Sequence, residues 1–161
     1  MDDPVNRVDV WGLKTFNVGV SGSATGFGVG GTVSGSIGRD GEGNWAVQGT
    51  VGAGPAAGYG VSGTGFGQYT NATRMDDLAG QGTQVGWSVG DIPVGAFKLG
   101  PVFGGDKVIG DGYEGMSGHI GVGVGTPDLH TNKTYTWSKD VFPTVPTDVT
   151  PSDDIDLYNK D

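Results

Sequence analysis

FGVGGTVSGSIGRDGEGNWAVQGTVGA, residues 27–53, decides how this chain is to be read. Its odd positions run Phe27, Val29, Gly31, Val33, Gly35 and Ile37, and its even positions Gly28, Gly30, Thr32, Ser34 and Ser36. Apolar and small polar residues alternate with period two, the spacing of a strand whose two faces differ. After Arg39-Asp40-Gly41-Glu42-Gly43-Asn44 the alternation resumes, with Trp45, Val47, Gly49, Val51 and Ala53 on one face. Ala46, Gln48, Thr50 and Gly52 take the other. The Asp-Gly and Gly-Asn pairs between the two runs supply the positive-φ positions that a tight reversal needs. Residues 27–53 are therefore predicted to form a long β-hairpin.

The same pattern extends outward. Phe16, Val18 and Val20 are in phase within Thr15–Gly22, as are Tyr59 and Val61 within Gly58–Tyr69. Further strands are predicted at Gln84–Val89, Val94–Leu99, Met116–Val124 and Lys133–Ser138. Between them Ala72, Met75, Leu78 and Ala79 fall at helical spacing, so Asn71–Gly82 is predicted to hold one short helical turn or a loop. About eight strands joined by short turns give an all-β fold class: a Gly-rich antiparallel meander, barrel or sandwich. Three segments are expected: residues 1–13 as a linker, 14–139 as the β domain, and 140–161 as an extended tail. Pro143, Pro146 and Pro151 exclude a helix or central strand from the tail.

Composition narrows the function classes. The chain of 161 residues has a net charge of -9, and its last 22 residues hold six Asp and one Lys. Such acidity repels a phosphate backbone, so no nucleic-acid partner is expected. With no Cys, thiolate nucleophiles and Cys-ligated metal sites are excluded. No stretch is apolar enough for a membrane-spanning helix, and no basic-then-apolar start resembles a signal peptide.

Glycine is the unusual feature, at 34 residues. Each one inside a strand costs about 0.5–1 kcal/mol relative to Ala, which closer backbone packing has to offset. Two arrangements can supply that packing. The commoner one buries the apolar face in a soluble core and solvates the polar face. The alternative points Phe, Val, Ile and Trp outward and small polar residues inward, the alternation of a membrane β-hairpin. In that case the hairpin's Phe27, Val29, Val33, Ile37, Trp45, Val47 and Val51 would face lipid.

Candidate chemical groups are few. Gly26–Gly31 and Gly58–Gly63 both spell G-x-G-x-x-G, but at this glycine frequency chance alone yields about one or two matches. Strands, not helices, follow both, so nucleotide binding is rejected and no cofactor is expected. His119 lies on the polar face of its strand with Ser117 two residues away, and His130 falls in the turn-like Thr126–Asn132. Each histidine reads first as a solvated side chain. The functional alternative makes His119 a general acid or base beside a Ser117 nucleophile. Asp40, Glu42 and Asn44 alternate like the start of a calcium loop but lack its downstream acid, which favours a plain turn and no metal. The pair Asp111 and Glu114 reads likewise as a turn.

The opening Asp3-Pro4-Val5-Asn6-Arg7-Val8-Asp9-Val10-Trp11-Gly12-Leu13 resembles the end of the core in RHS/YD-repeat polymorphic toxins. Pro4, Asn6, Asp9, Gly12 and Leu13 fall on the family pattern, and Val10 stands where Pro is usual. The resemblance implies that Asp9 matches the self-cleavage aspartate and Leu13 the residue before the cut. It implies also that the rest of the chain is the variable effector, secreted or delivered into a target cell in interbacterial competition and opposed by a cognate immunity protein. Effectors in that family are often nucleases, deaminases or ADP-ribosyltransferases. The acidity argues against the first and the missing Cys against the second's usual zinc site. The expected function is thus a toxin effector, acting on a membrane through the Gly-rich hairpin or on a substrate through His119. A non-catalytic β-rich binding or structural module, possible as an oligomer, is the third reading.

Overall fold

The computed structural model of the chain describes residues 15–90 and 100–142. Asp9 and Leu13, the strand expected at Val94–Leu99 and the acidic tail from residue 143 lie outside them. The described chain is all-β: a closed barrel of eight antiparallel strands. In chain order these are β1 (Thr15–Gly26), β2 (Val29–Arg39), β3 (Trp45–Ala57) and β4 (Gly60–Thr70), followed by β5 (Gly80–Gly90), β6 (Gly100–Gly110), β7 (Glu114–Gly125) and β8 (Asp128–Phe142). A 3₁₀ turn, Met75–Leu78, sits between β4 and β5 where helical spacing predicted a turn.

The hairpin of residues 27–53 stands as β2 and β3, in the register Arg39↔Trp45, Val33↔Val51 and Val29↔Pro55. Its reversal is a plain turn: Asp40 Oδ1 accepts the backbone N–H groups of Glu42 and Asn44 at 3.0 and 2.9 Å. Gly43, at φ 96°, takes the left-handed position that a side chain would disfavour. Strands outside the hairpin run longer than the alternation alone marked. β8 begins at Asp128 and reaches three residues into the segment read as tail, and β6 lies C-terminal to the strand expected at Val94–Leu99.

Strand order around the barrel is β1-β2-β3-β8-β5-β6-β7-β4, so the chain is no meander. It consists of two Greek keys of identical order, 4-1-2-3 and 8-5-6-7, joined along the seams β3–β8 and β4–β7. At one end, the crossing end, Gly58-Tyr59 carries the chain from β3 to β4 and Thr126-Pro127 from β7 to β8, in both cases between strands that are not neighbours. A two-residue link spans at most about 11 Å, whereas three strand spacings along the wall come to about 14 Å. Both links are therefore too short to follow the wall and cut across the mouth. The two links lie together, with Thr126 N–H donating to the Tyr59 carbonyl at 2.8 Å and Tyr59 N–H to Thr126 Oγ1 at 3.1 Å.

At the opposite, plug end, Ala72, Met75 and Leu78 pack with Ala46 and Tyr113 in one small buried cluster. Gln48 Nε2 donates to the Met75 carbonyl at 3.0 Å and fixes the plug to β3. This is the described chain's only buried apolar cluster. The remaining interior is mostly polar, with Ala56 and Val102 the further buried apolar residues among those described. Thr15, Asn17, Gln48, Thr64, Thr70, Asp106, Asn132 and Thr134 are all buried.

The soluble-core expectation is overturned. Val18, Val20, Val33, Ile37, Val47, Val51, Val61, Trp87, Ile120 and Val122 all point out of the barrel, with Val20 69% and Ile120 70% exposed. All seven apolar hairpin residues from Phe27 to Val51 face outward too. Period-two alternation fixes that the two faces differ, but not which of them is inside. The interior of eight strands is narrow, and it has closed around hydroxyls and glycines in place of branched side chains.

Candidate functional site

Within this lumen the residues with titratable side chains gather in one place. Asp106 projects inward from β6, His119 and Ser117 from β7, and Asp128 and His130 from β8. His130 bridges two carboxylates, with Nε2 2.8 Å from Asp106 Oδ1 and Nδ1 3.1 Å from Asp128 Oδ1. His119 Nδ1 lies 3.3 Å from Asp106 Oδ2. Hydroxyls complete the acceptors: Ser117 donates to Asp106 Oδ2 at 3.1 Å, Ser88 to Asp128 Oδ1 at 2.9 Å, and Thr25 to Asp128 Oδ2 at 2.9 Å. The chain His119–Asp106–His130–Asp128 thus ties β6, β7 and β8 together and reaches β5 and β1 through Ser88 and Thr25.

Both expectations of solvated histidines fail. The side chains of His119 and His130 are only 12% and 13% exposed, enclosed by the barrel wall. His130 belongs to a strand and not to a turn, because β8 starts immediately after Pro127. Ser117 and His119 do converge, but on Asp106. The serine hydroxyl is donated to the carboxylate, and no Ser117–His119 hydrogen bond joins a nucleophile to a base. Among the described residues no cluster of His, Asp or Glu has the arrangement to hold a metal ion.

Sequence reasoning missed Asp106 and Asp128 as members of this site. A usable signal existed. Asp106, His119, Asp128 and His130 each occupy the small-residue face of a strand, where a charged group is shut away from bulk solvent once the sheet closes.

Elsewhere the lumen is paved with hydroxyl pairs across neighbouring strands. Ser21 meets Thr64 at 2.7 Å, Ser23 meets Ser62 at 2.7 Å, Thr50 meets Thr136 at 2.8 Å and Thr15 meets Thr70 at 2.6 Å. At the plug end the Tyr113 hydroxyl donates to the Leu78 carbonyl at 3.4 Å, and burial pushes this phenol's pKa upward.

Outside, the wall is apolar with aromatic residues toward both ends. Phe16 and Tyr69 pack at 4.7 Å near the plug end, and Phe27 meets Tyr59 edge-on at 5.8 Å at the crossing end. Gly49 opens the bed on which the Trp137 indole lies, since a Cβ there would strike the ring. Outward charge is confined to few positions. Lys107 pairs with Glu114 at 2.8 Å, and Lys133 donates to Thr83 Oγ1 at 3.1 Å.

The comparisons return no relative. No family model, no curated protein and no solved structure matches this chain. Function has to be read from the barrel itself.

Proposed function

We propose that this chain is the effector region of an RHS-type toxin and that it acts as a β-barrel inserted in a lipid bilayer. One observation carries the membrane reading: the barrel is inverted, with branched and aromatic side chains outside and hydroxyls, amides and charges inside. In water such a wall would leave a continuous apolar surface exposed. In lipid the same wall is matched to its solvent, and closure leaves no strand edge unpaired. Strands of 11 to 15 residues meet or exceed the roughly 9–11 that a tilted strand needs to cross the hydrocarbon layer. The aromatic residues toward both ends fit the two interfacial girdles of membrane barrels. The effector reading rests on the RHS-like boundary at Asp3–Leu13, and with it comes an expected immunity protein.

The barrel, rather than a single hairpin, is the inserting unit in this reading, because every strand contributes to the apolar band. Flotation tests it. The full chain, refolded with vesicles of phosphatidylethanolamine and phosphatidylglycerol, is expected to rise with the lipid and to resist carbonate extraction. Recovery of all protein in the lipid-free fraction would sink the membrane reading. Growth arrest on expression in a bacterial periplasm, relieved by Val33→Arg, would support the toxin reading, and normal growth in both cytoplasm and periplasm would count against it.

A further inference from the structure

We propose that the lumen is a proton wire, so that the inserted barrel leaks protons while excluding larger solutes and other ions. The proposal rests on the membrane reading and specifies how such a barrel does damage. Two polar cavities of about 70 and 50 Å³, and a third of about 30 Å³ lined half by apolar groups, follow one another from the plug end to the crossing end. Each exceeds the roughly 10–15 Å³ that one water molecule needs. The first is lined by Leu78 and Tyr113 at the plug end and shares Ser21, Thr32, Asp106 and His119 with the second. The second shares Ser23, Thr25, Ser62, Ser88 and Asp128 with the third, which reaches Tyr59 and Thr126 at the crossing end. The cavities therefore abut, and the charged chain lies across their junctions.

That chain has the chemistry of a relay. Asp106 and His119 border the first and second cavities, His130 joins Asp106 to Asp128, and Asp128 borders the second and third. An imidazole between two carboxylates can accept a proton on one nitrogen and release one from the other. Ionisable residues inside a membrane protein commonly mark such relays. Asn132 supplies an independent pointer: its side chain is buried, lines the middle cavity, and its Oδ1 has no partner within the protein, so it presents an acceptor to water there. The paired hydroxyls of the lumen both donate and accept, which continues the path toward each mouth. The proton balance is simple. One proton enters from water on one side, one leaves on the other, and only O–H and N–H bonds are exchanged along the way.

The lumen gives the selectivity. Cavities of this size admit water but no hydrated ion or dye, and the two links cross one mouth while the Met75–Leu78 plug covers the other. The barrel is a wire and not a pore.

Vesicles loaded with a pH-sensitive dye in one set and carboxyfluorescein in another test this, with valinomycin and potassium supplying the counter-ion flow. The full chain is expected to collapse an imposed pH gradient without releasing carboxyfluorescein. Asp106→Asn and, as a milder change, His130→Gln are expected to float with the vesicles, keep the barrel's circular dichroism, and fall to the proton flux of protein-free vesicles. Floating protein with no proton flux would overturn the wire. Proton flux accompanied by carboxyfluorescein release would replace it with an open pore. A folded, floating His130→Gln that still conducts would remove the relay. Failure of the unaltered chain to float would reject the membrane reading itself, a result distinct from all of these.

Discussion

The two Greek keys share a strand order but fill the lumen differently. In the first, residues 15–70, the strands carry a single charged residue, Arg39 at the end of β2, and the inward side chains are Ser, Thr, Asn, Gln and one Phe among small residues. In the second, residues 80–142, β6, β7 and β8 send Asp106, His119, Asp128 and His130 inward and Lys107, Lys133 and Lys139 outward. One half is therefore held by many weak hydroxyl pairs and the other by one concentrated set of charge-assisted bonds. Such bonds are about twice as strong as neutral ones, but breaking a buried pair leaves an uncompensated charge. The first half should be forgiving of single substitutions and the second should not.

The largest expected effect falls in the second half. Asp106→Ala removes the carboxylate shared by His119, His130 and Ser117, and should destabilise the barrel by about 3–5 kcal/mol, read as a shift in urea midpoint in lipid or detergent. A shift no greater than that of a hydroxyl deletion would erase the contrast between the halves. Val33→Arg, on the outer wall of the first half away from its one strand charge at Arg39, should weaken insertion by about 2–4 kcal/mol if Val33 lies near mid-bilayer. Unchanged flotation would place that wall away from lipid. Ser21→Ala breaks one luminal hydroxyl pair and should cost only about 0.5–1.5 kcal/mol by the same urea measurement. Smallest, Lys133→Leu should leave stability within about 1 kcal/mol or raise it slightly, since a lysine near the interface lifts its ammonium to water along its own stem. A gain of several kcal/mol would instead put Lys133 deep in the hydrocarbon.

Much of the wall was legible in the sequence, because alternation is a local signal. Trp45, Val47 and Val51 oppose Arg39, Ile37 and Val33 in the register that the turn at Asp40–Asn44 imposes. Which face is inside was not legible. It depends on closure, and closure depends on pairings such as Val51↔Tyr135 and Gly65↔Ile120 that are remote in the chain. The site suffered for the same reason. His119 and Ser117 could be placed on one face from their spacing, whereas Asp106 and His130 join them only after β6 pairs with β7 and β5 with β8. His130 was hidden further by Pro127, which reads as a turn and here stands in the short link directly before β8.

The seam between β3 and β8 sets a timetable. β3 has its β2 partner within a few residues, but its other edge stays bare until Lys133 to Lys139 arrive opposite Ala53 to Val47. Closing so long a stretch is slow compared with hairpin formation. A chain threaded amino end first would thus carry a row of open amides and carbonyls until nearly its last described strand was through. Until that moment it has a sticky edge and no finished wall. β8, the last of the described strands, works as a delayed fuse: the barrel stays unassembled until it pairs with β3 and β5.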